Sequence, residues 1–225
     1  MLDVHAPHSP LHGTKEFFFH LFTITVGLLI ATQIESCVEW RHHVHLAEEA
    51  RASLRVEIQK NFDDLKAAEP GLQSWRNEVQ ADLDALARIQ AHPNDKAVQR
   101  ASISVSAHGI TLSNTAWKTA ESSGALAYMP YAEAQRYAQI YQAQEHLLAI
   151  QELPIDDMAH VIGLVSKFSD TRTLTPQQAG ELAEPLGQVA FLLADGSMVM
   201  KQNIELNQAF LEGREPQGDF TEKLK

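Results

Sequence analysis

From Phe17 to Ile34 the chain reads FFFHLFTITVGLLIATQI, 18 residues without a formal charge. As a helix this run is about 27 Å long, close to the hydrocarbon thickness of a bilayer. Phe17, Phe18 and Phe19 at one end and Trp40 beyond the other suit the two interfaces, where aromatic rings settle. The pattern predicts a short N-terminal tail over 1–16 and a transmembrane helix over 17–38. His20, Thr23, Thr25, Thr32 and Gln33 are its polar positions. A cleaved secretory signal fits less well, because the run exceeds a usual signal core and only Lys15 supplies a basic start. Ile34-Glu35-Ser36-Cys37 approaches a lipobox, with Glu35 where a small or apolar residue belongs.

Beyond the run no glycine or proline occurs until Pro70, so the membrane helix is expected to continue into a soluble one. Leu46, Leu54, Ile58, Phe62 and Leu65 recur near helical spacing. Pro70-Gly71 predicts a turn. Leu72, Trp75, Val79, Leu83, Leu86 and Ile89 then mark a second, antiparallel helix ending before Pro93. Residues 93–112 lack a helical period. Ser102, Ile103, Ser104 and Val105 alternate like a strand with nothing to pair with, and the stretch reads as a loop or helix start.

A short helix is expected from Asn114 to Ser122, with Trp117 on it and Ser123-Gly124 closing it. Pro130 opens the next helix, whose stripe holds Tyr137, Ile140, Tyr141, Leu147, Leu148 and Ile150. Pro154 should kink or interrupt it before Ile155, Met158, Ile162, Val165 and Phe168. Thr175-Pro176-Gln177-Gln178 is a capping box. Pro185 should split a short helix from a long one carrying Leu186, Val189, Leu193, Met200, Ile204 and Leu211. The predicted fold is all-α: an N-terminal transmembrane helix continuing into an antiparallel helical bundle over 39–212, coiled-coil-like in its packing, with a flexible tail over 213–225.

A net charge of −11, from 18 basic and 29 acidic residues, argues against a nucleic-acid partner. The expected partners are the lipid bilayer and either a second copy or another membrane protein. The one cysteine, Cys37, excludes an intrachain disulfide and a multi-cysteine zinc site; an intermolecular disulfide stays open to it. Thr23, Gly27 and Ala31 fall four apart on one face, where small residues let membrane helices approach closely. Lys15 before the span and Arg41 after it leave the charge rule for orientation tied. A short leading segment before a long trailing one is the signal-anchor layout, which places the bundle outside the cytoplasm.

Of 11 histidines, His5, His8 and His12 precede the run, His20 lies in it, and His42, His43 and His45 follow. Glu39, His42, His43 and His45 are the candidate metal ligands, because imidazole with carboxylate suits zinc, copper or nickel. Against this, histidine is at home at membrane interfaces, and no spacing such as HExxH is present. Ser113, Ser122 and Ser123 lack a nucleophile-elbow context, and His108, His146 and His160 stand singly. No phosphate loop, dinucleotide fingerprint or calcium loop occurs, so neither a cofactor nor an enzyme activity is expected. Trp75, Trp117, Tyr137 and Tyr141 read as bundle core rather than a ligand cage.

Gly27-Leu28-Leu29-Ile30-Ala31 with Gln33-Ile34, then Trp117, Ser122-Ser123-Gly124-Ala125-Leu126 and Ile140-Tyr141, resembles a family of bacterial single-pass membrane proteins of unknown function. That family carries Asn-Trp after the span where this chain has Glu39-Trp40. The resemblance implies a bacterial envelope protein anchored by its N-terminus and implies no activity; together with the signal-anchor layout, the expected location is the inner membrane with a periplasmic domain. The expected role is a non-enzymatic structural, assembly or accessory subunit. The alternative is an extracytoplasmic ligand-binding or sensory domain acting through a partner subunit.

Overall fold

The structure is a computed structural model that describes residues 13–100, 103–104, 106–168 and 173–217. The expectations placed on His5, His8, His12, Ser102, Val105 and the tail beyond Gln217 lie outside the described residues. The fold is all-α; the described residues form four helices and a 3₁₀ turn: α1 (Thr14–Ala91), α2 (Thr115–Ser122), the turn (Ala125–Tyr128), α3 (Tyr131–Val165) and α4 (Pro176–Glu212). The chain divides into two compact units between Glu49 and Ala50.

The first unit is the opening part of α1. Among the described residues this is the one helix long and apolar enough, by length and composition, to cross a membrane, and none of its apolar window is buried.

In the second unit the end of α1 packs with α3 and α4, and their polar contacts define the helix directions. Arg51 meets Glu133 and Asn61 meets Gln144, so residue numbers climb together and α1 runs parallel to α3. Arg55 reaches the Leu211 carbonyl while Arg76 reaches Ser197, so α4 runs antiparallel to α1. Asn203 bonds the Ala143 carbonyl and Gly196 abuts Ile150, so α3 and α4 are antiparallel as well.

This corrects the expected hairpin at Pro70-Gly71. Pro70 sits inside one continuous 78-residue α1. A helix-interior proline costs roughly 3 kcal/mol through one lost hydrogen bond and a clash with the carbonyl four residues back. Here Pro70 and Lys66 both lie on the exposed face, where that carbonyl meets water. Leu65 before it and Trp75, Val79 and Leu86 after it keep one stripe, each 1% exposed or less. Burying large apolar side chains stabilises by about 1.5–3 kcal/mol each, which outweighs the local loss. Pro185 likewise lies within α4, between the fully buried Leu182 and Leu186, and Pro154 lies within α3.

Two apolar clusters stand out in the core among the described residues, which also buries Leu54, Ile58, Ile140 and Tyr141. One joins Trp75, Val79, Leu86 and Ile89 to Met158, Val161, Leu182, Leu186, Val189 and Leu193. The other joins Leu65, Leu112, Leu147, Met200 and Ile204.

Parallel α1 and α3 require the chain to travel back along α1 before α3 begins. Contacts trace this return strap: Ser104 against Asp82, Ser106 against Glu78, and Ser113 against Asn61. Over the span from Asn61 to Asp82, α1 rises about 32 Å. The strap makes this return in the few residues that end at Ser113, so its described part, 106–113, is extended. Among the described residues no strand forms, and the strap is held by side chains of the helices instead. Local endings follow the sequence: Gly124 takes φ 74° after α2, and the Thr175 and Gln178 side chains exchange backbone bonds of 3.2 and 2.9 Å at the start of α4.

Candidate functional site

An extended strap cannot satisfy its own backbone, so side chains from the helices do so. Asn61 of α1 pairs with Ser113 as a second strand would, accepting its N–H at 2.9 Å and donating to its carbonyl at 2.7 Å. Gln151 of α3 does the same for Ile110, at 2.9 and 2.8 Å. Asp82 accepts the Ser104 N–H at 2.8 Å, and Glu78 accepts the Ser106 hydroxyl at 2.6 Å.

Glu57, 8% exposed, performs the most demanding of these tasks. Its carboxylate accepts from the Ser113 hydroxyl at 2.6 Å, the Tyr141 hydroxyl at 2.8 Å, and the Ala116 and Trp117 N–H groups at 3.0 and 3.4 Å. The last two are free N–H groups of the first turn of α2, whose own N-cap residue, Asn114, makes no side-chain bond there. A negative charge at that end also meets the positive pole of the helix. Burial alone would raise the Glu57 pKa, but its hydrogen bonds outweigh that and hold it below the usual value. Burial and the Glu57 bond push the Tyr141 hydroxyl up, so it remains a neutral donor. Trp117 stacks on Tyr141 at 5.1 Å and closes the cluster.

The polar line continues inward. Asn61 also donates to Gln144 at 2.9 Å, Gln144 to Asn207 at 3.0 Å, and Asn207 to the Asn203 carbonyl at 2.7 Å. Ser113 beside Glu57 is a nucleophile type beside a carboxylate. A carboxylate held below its usual pKa and already accepting other donors is a weak base, so the pair organises backbone.

Asp82 differs. Burial, with Glu78 one turn away adding to it, raises its pKa to about 6 despite the Ser104 bond. At the far end of the bundle Arg214 bonds Glu205 at 2.5 Å and Glu212 at 2.6 Å. That ties the residues just after the Gly213 cap back onto α4.

The residues singled out from sequence lie elsewhere. Thr23, Gly27 and Ala31 are exposed on one helical face. The Thr23, Thr25, Thr32 and Ser36 hydroxyls bond carbonyls of their own helix at 2.8–3.0 Å. Glu39, His42 and His45 are exposed and His43 half-buried; His45 contacts Glu49 at 3.1 Å and the His42 and His43 rings lie 5.9 Å apart. Among the described residues no three His, Cys, Asp or Glu side chains come together as a metal would need. Cys37 is exposed. Trp75, Tyr137 and Tyr141 are core residues, 1%, 4% and 1% exposed.

Sequence reasoning passed over Glu57, Asn61, Asp82, Gln144, Asn203 and Asn207. Their signal was position: each falls within an apolar stripe, Asn61 between Ile58 and Leu65 and Asp82 between Val79 and Leu86. The class these features define is a helical bundle with a polar spine, on a chain that also holds a helix fit to span a bilayer. The chain matches no protein-family profile, no curated protein and no solved structure.

Proposed function

We propose that this chain is a single-pass membrane protein of a bacterial envelope, anchored in the inner membrane through residues 17–38, with the bundle in the periplasm. Its role is non-enzymatic, as a structural, assembly or accessory subunit. One observation carries the anchoring: the apolar window of α1 is wholly uncovered, while its hydroxyls are satisfied by its own backbone. Water penalises the first feature, and lipid demands the second. In this reading Thr23, Gly27 and Ala31 form the face on which two copies associate, since lipid lets small residues pack backbone against backbone. The polar spine and the charge-assisted tethers give the bundle a rigid surface rather than a reactive centre.

The test is fractionation of the full chain with an alkaline-wash step, together with a reporter fused after Lys225. Retention in the washed membrane and activity of a reporter that works only in the periplasm are expected. Recovery of unprocessed monomer from the aqueous fraction would overturn the proposal. Gly27→Leu should weaken self-association in detergent while leaving membrane retention intact.

A further inference from the structure

Where the two apolar clusters meet, a cavity of about 40 Å³ is bordered by Ala68, Leu72, Trp75, His108, Pro154 and Met200, among others. Most of its lining is hydrocarbon, yet two backbone or side-chain polar groups beside it lack their usual partners. Trp75 is 1% exposed, and its indole Nε1–H, also buried, makes no hydrogen bond. Pro154 is buried within α3 and has no N–H to give the Ile150 carbonyl four residues earlier. The three in-helix prolines differ here. The carbonyls opposite Pro70 and Pro185 belong to Lys66 and Glu181, both exposed, whereas Ile150 borders the cavity.

An unmet buried polar group costs about 1–3 kcal/mol. One hydroxyl group can accept from the indole and donate to a carbonyl at once. The space suits it, since a cavity needs about 10–15 Å³ of such volume to hold a water, and one that admits benzene is about 150 Å³. We propose that this cavity is a binding site for a single small hydroxyl-bearing molecule, held by the Trp75 indole and the Ile150 carbonyl. The hydroxyl is that of one water or of a short alcohol. The strap forms one wall: His108 packs edge-on against Trp75 at 6.2 Å, and Gln151 holds the adjoining Ile110.

The experiment uses the full chain, ¹⁵N-labelled on tryptophan, in detergent micelles, with the indole signals of Trp40, Trp75 and Trp117 assigned by Phe substitution. A cross-peak from the Trp75 indole proton to a long-lived water identifies water as the occupant. A saturable shift of that signal alone on adding 2-propanol, with loss of the water cross-peak, identifies the alcohol. Either result supports the site, and Ala68→Leu, which fills the space, should abolish it. Should that variant fold poorly, Gly196→Ala serves, because its new methyl meets Ile150 Cγ2 at an ordinary 3.8 Å. Absence of both signals in the native chain, or their persistence in the filled variant, would overturn the proposal.

Discussion

Glu57→Gln isolates what one buried charge contributes. The side chain keeps its size, but one acceptor oxygen becomes an amino group facing donors. Four donors converge on the native carboxylate: the Ser113 and Tyr141 hydroxyls and the Ala116 and Trp117 N–H groups. A hydrogen bond to a charged group contributes about 1.5–3 kcal/mol, and an anion at a helix start about 0.3–1 kcal/mol. The Ser113 hydroxyl can turn round and accept, so roughly one charged bond and the helix-pole term are lost, a destabilisation of about 2–4 kcal/mol.

Equilibrium urea unfolding in a non-denaturing detergent, followed by far-ultraviolet circular dichroism and by tryptophan fluorescence, measures it. Because the folded pKa of Glu57 lies below its ordinary 4.5, its contribution is complete above pH 4.5 and lost as pH falls through the folded value. The gap between native and variant should therefore hold steady from pH 7 to about pH 5 and narrow in stronger acid. A gap under about 0.5 kcal/mol at pH 7, where unremarkable surface substitutions fall, or one that widens on acidification, would refute the charge argument.

Asp82 should act with the opposite sign. Its folded pKa, raised from 3.8 to about 6, favours the folded state most below pH 3.8 and less as pH climbs through 6. At about 1.4 kcal/mol per pH unit the difference is at most roughly 3 kcal/mol, and Asp82→Asn should flatten stability across pH 4–7 in the same unfolding assay. Gln151→Ala strands both backbone groups of Ile110 and should cost about 2–3 kcal/mol, with faster amide exchange confined first to residues 106–112. Thr175→Ala removes one half of the capping box and should cost about 1 kcal/mol, read as a small drop in Tm.

What could be read from sequence was set within a turn or two of each residue. The uncharged run from Phe17 to Ile34, the Thr175 capping box, the Gly124 ending and the stripes of α3 and α4 all depend on neighbours three or four positions away. Such local patterns yielded the all-α class and the helix fit to span a bilayer. Three features lay beyond their reach. Pro70 is a break by local rule, and it is overridden because Leu65 and Trp75 bury against partners more than 80 residues away in sequence. The extended strap has no signature of its own, since its length follows from the need to return along α1. Glu57, Asn61 and Gln144 look like flaws in apolar stripes until the strap and α3 supply the groups that they bond. Sequence alone thus determines where helices form, because helix energetics are local. Tertiary structure decides which prolines are tolerated and which buried polar groups are satisfied, because burial and hydrogen-bond pairing exist only once distant segments meet.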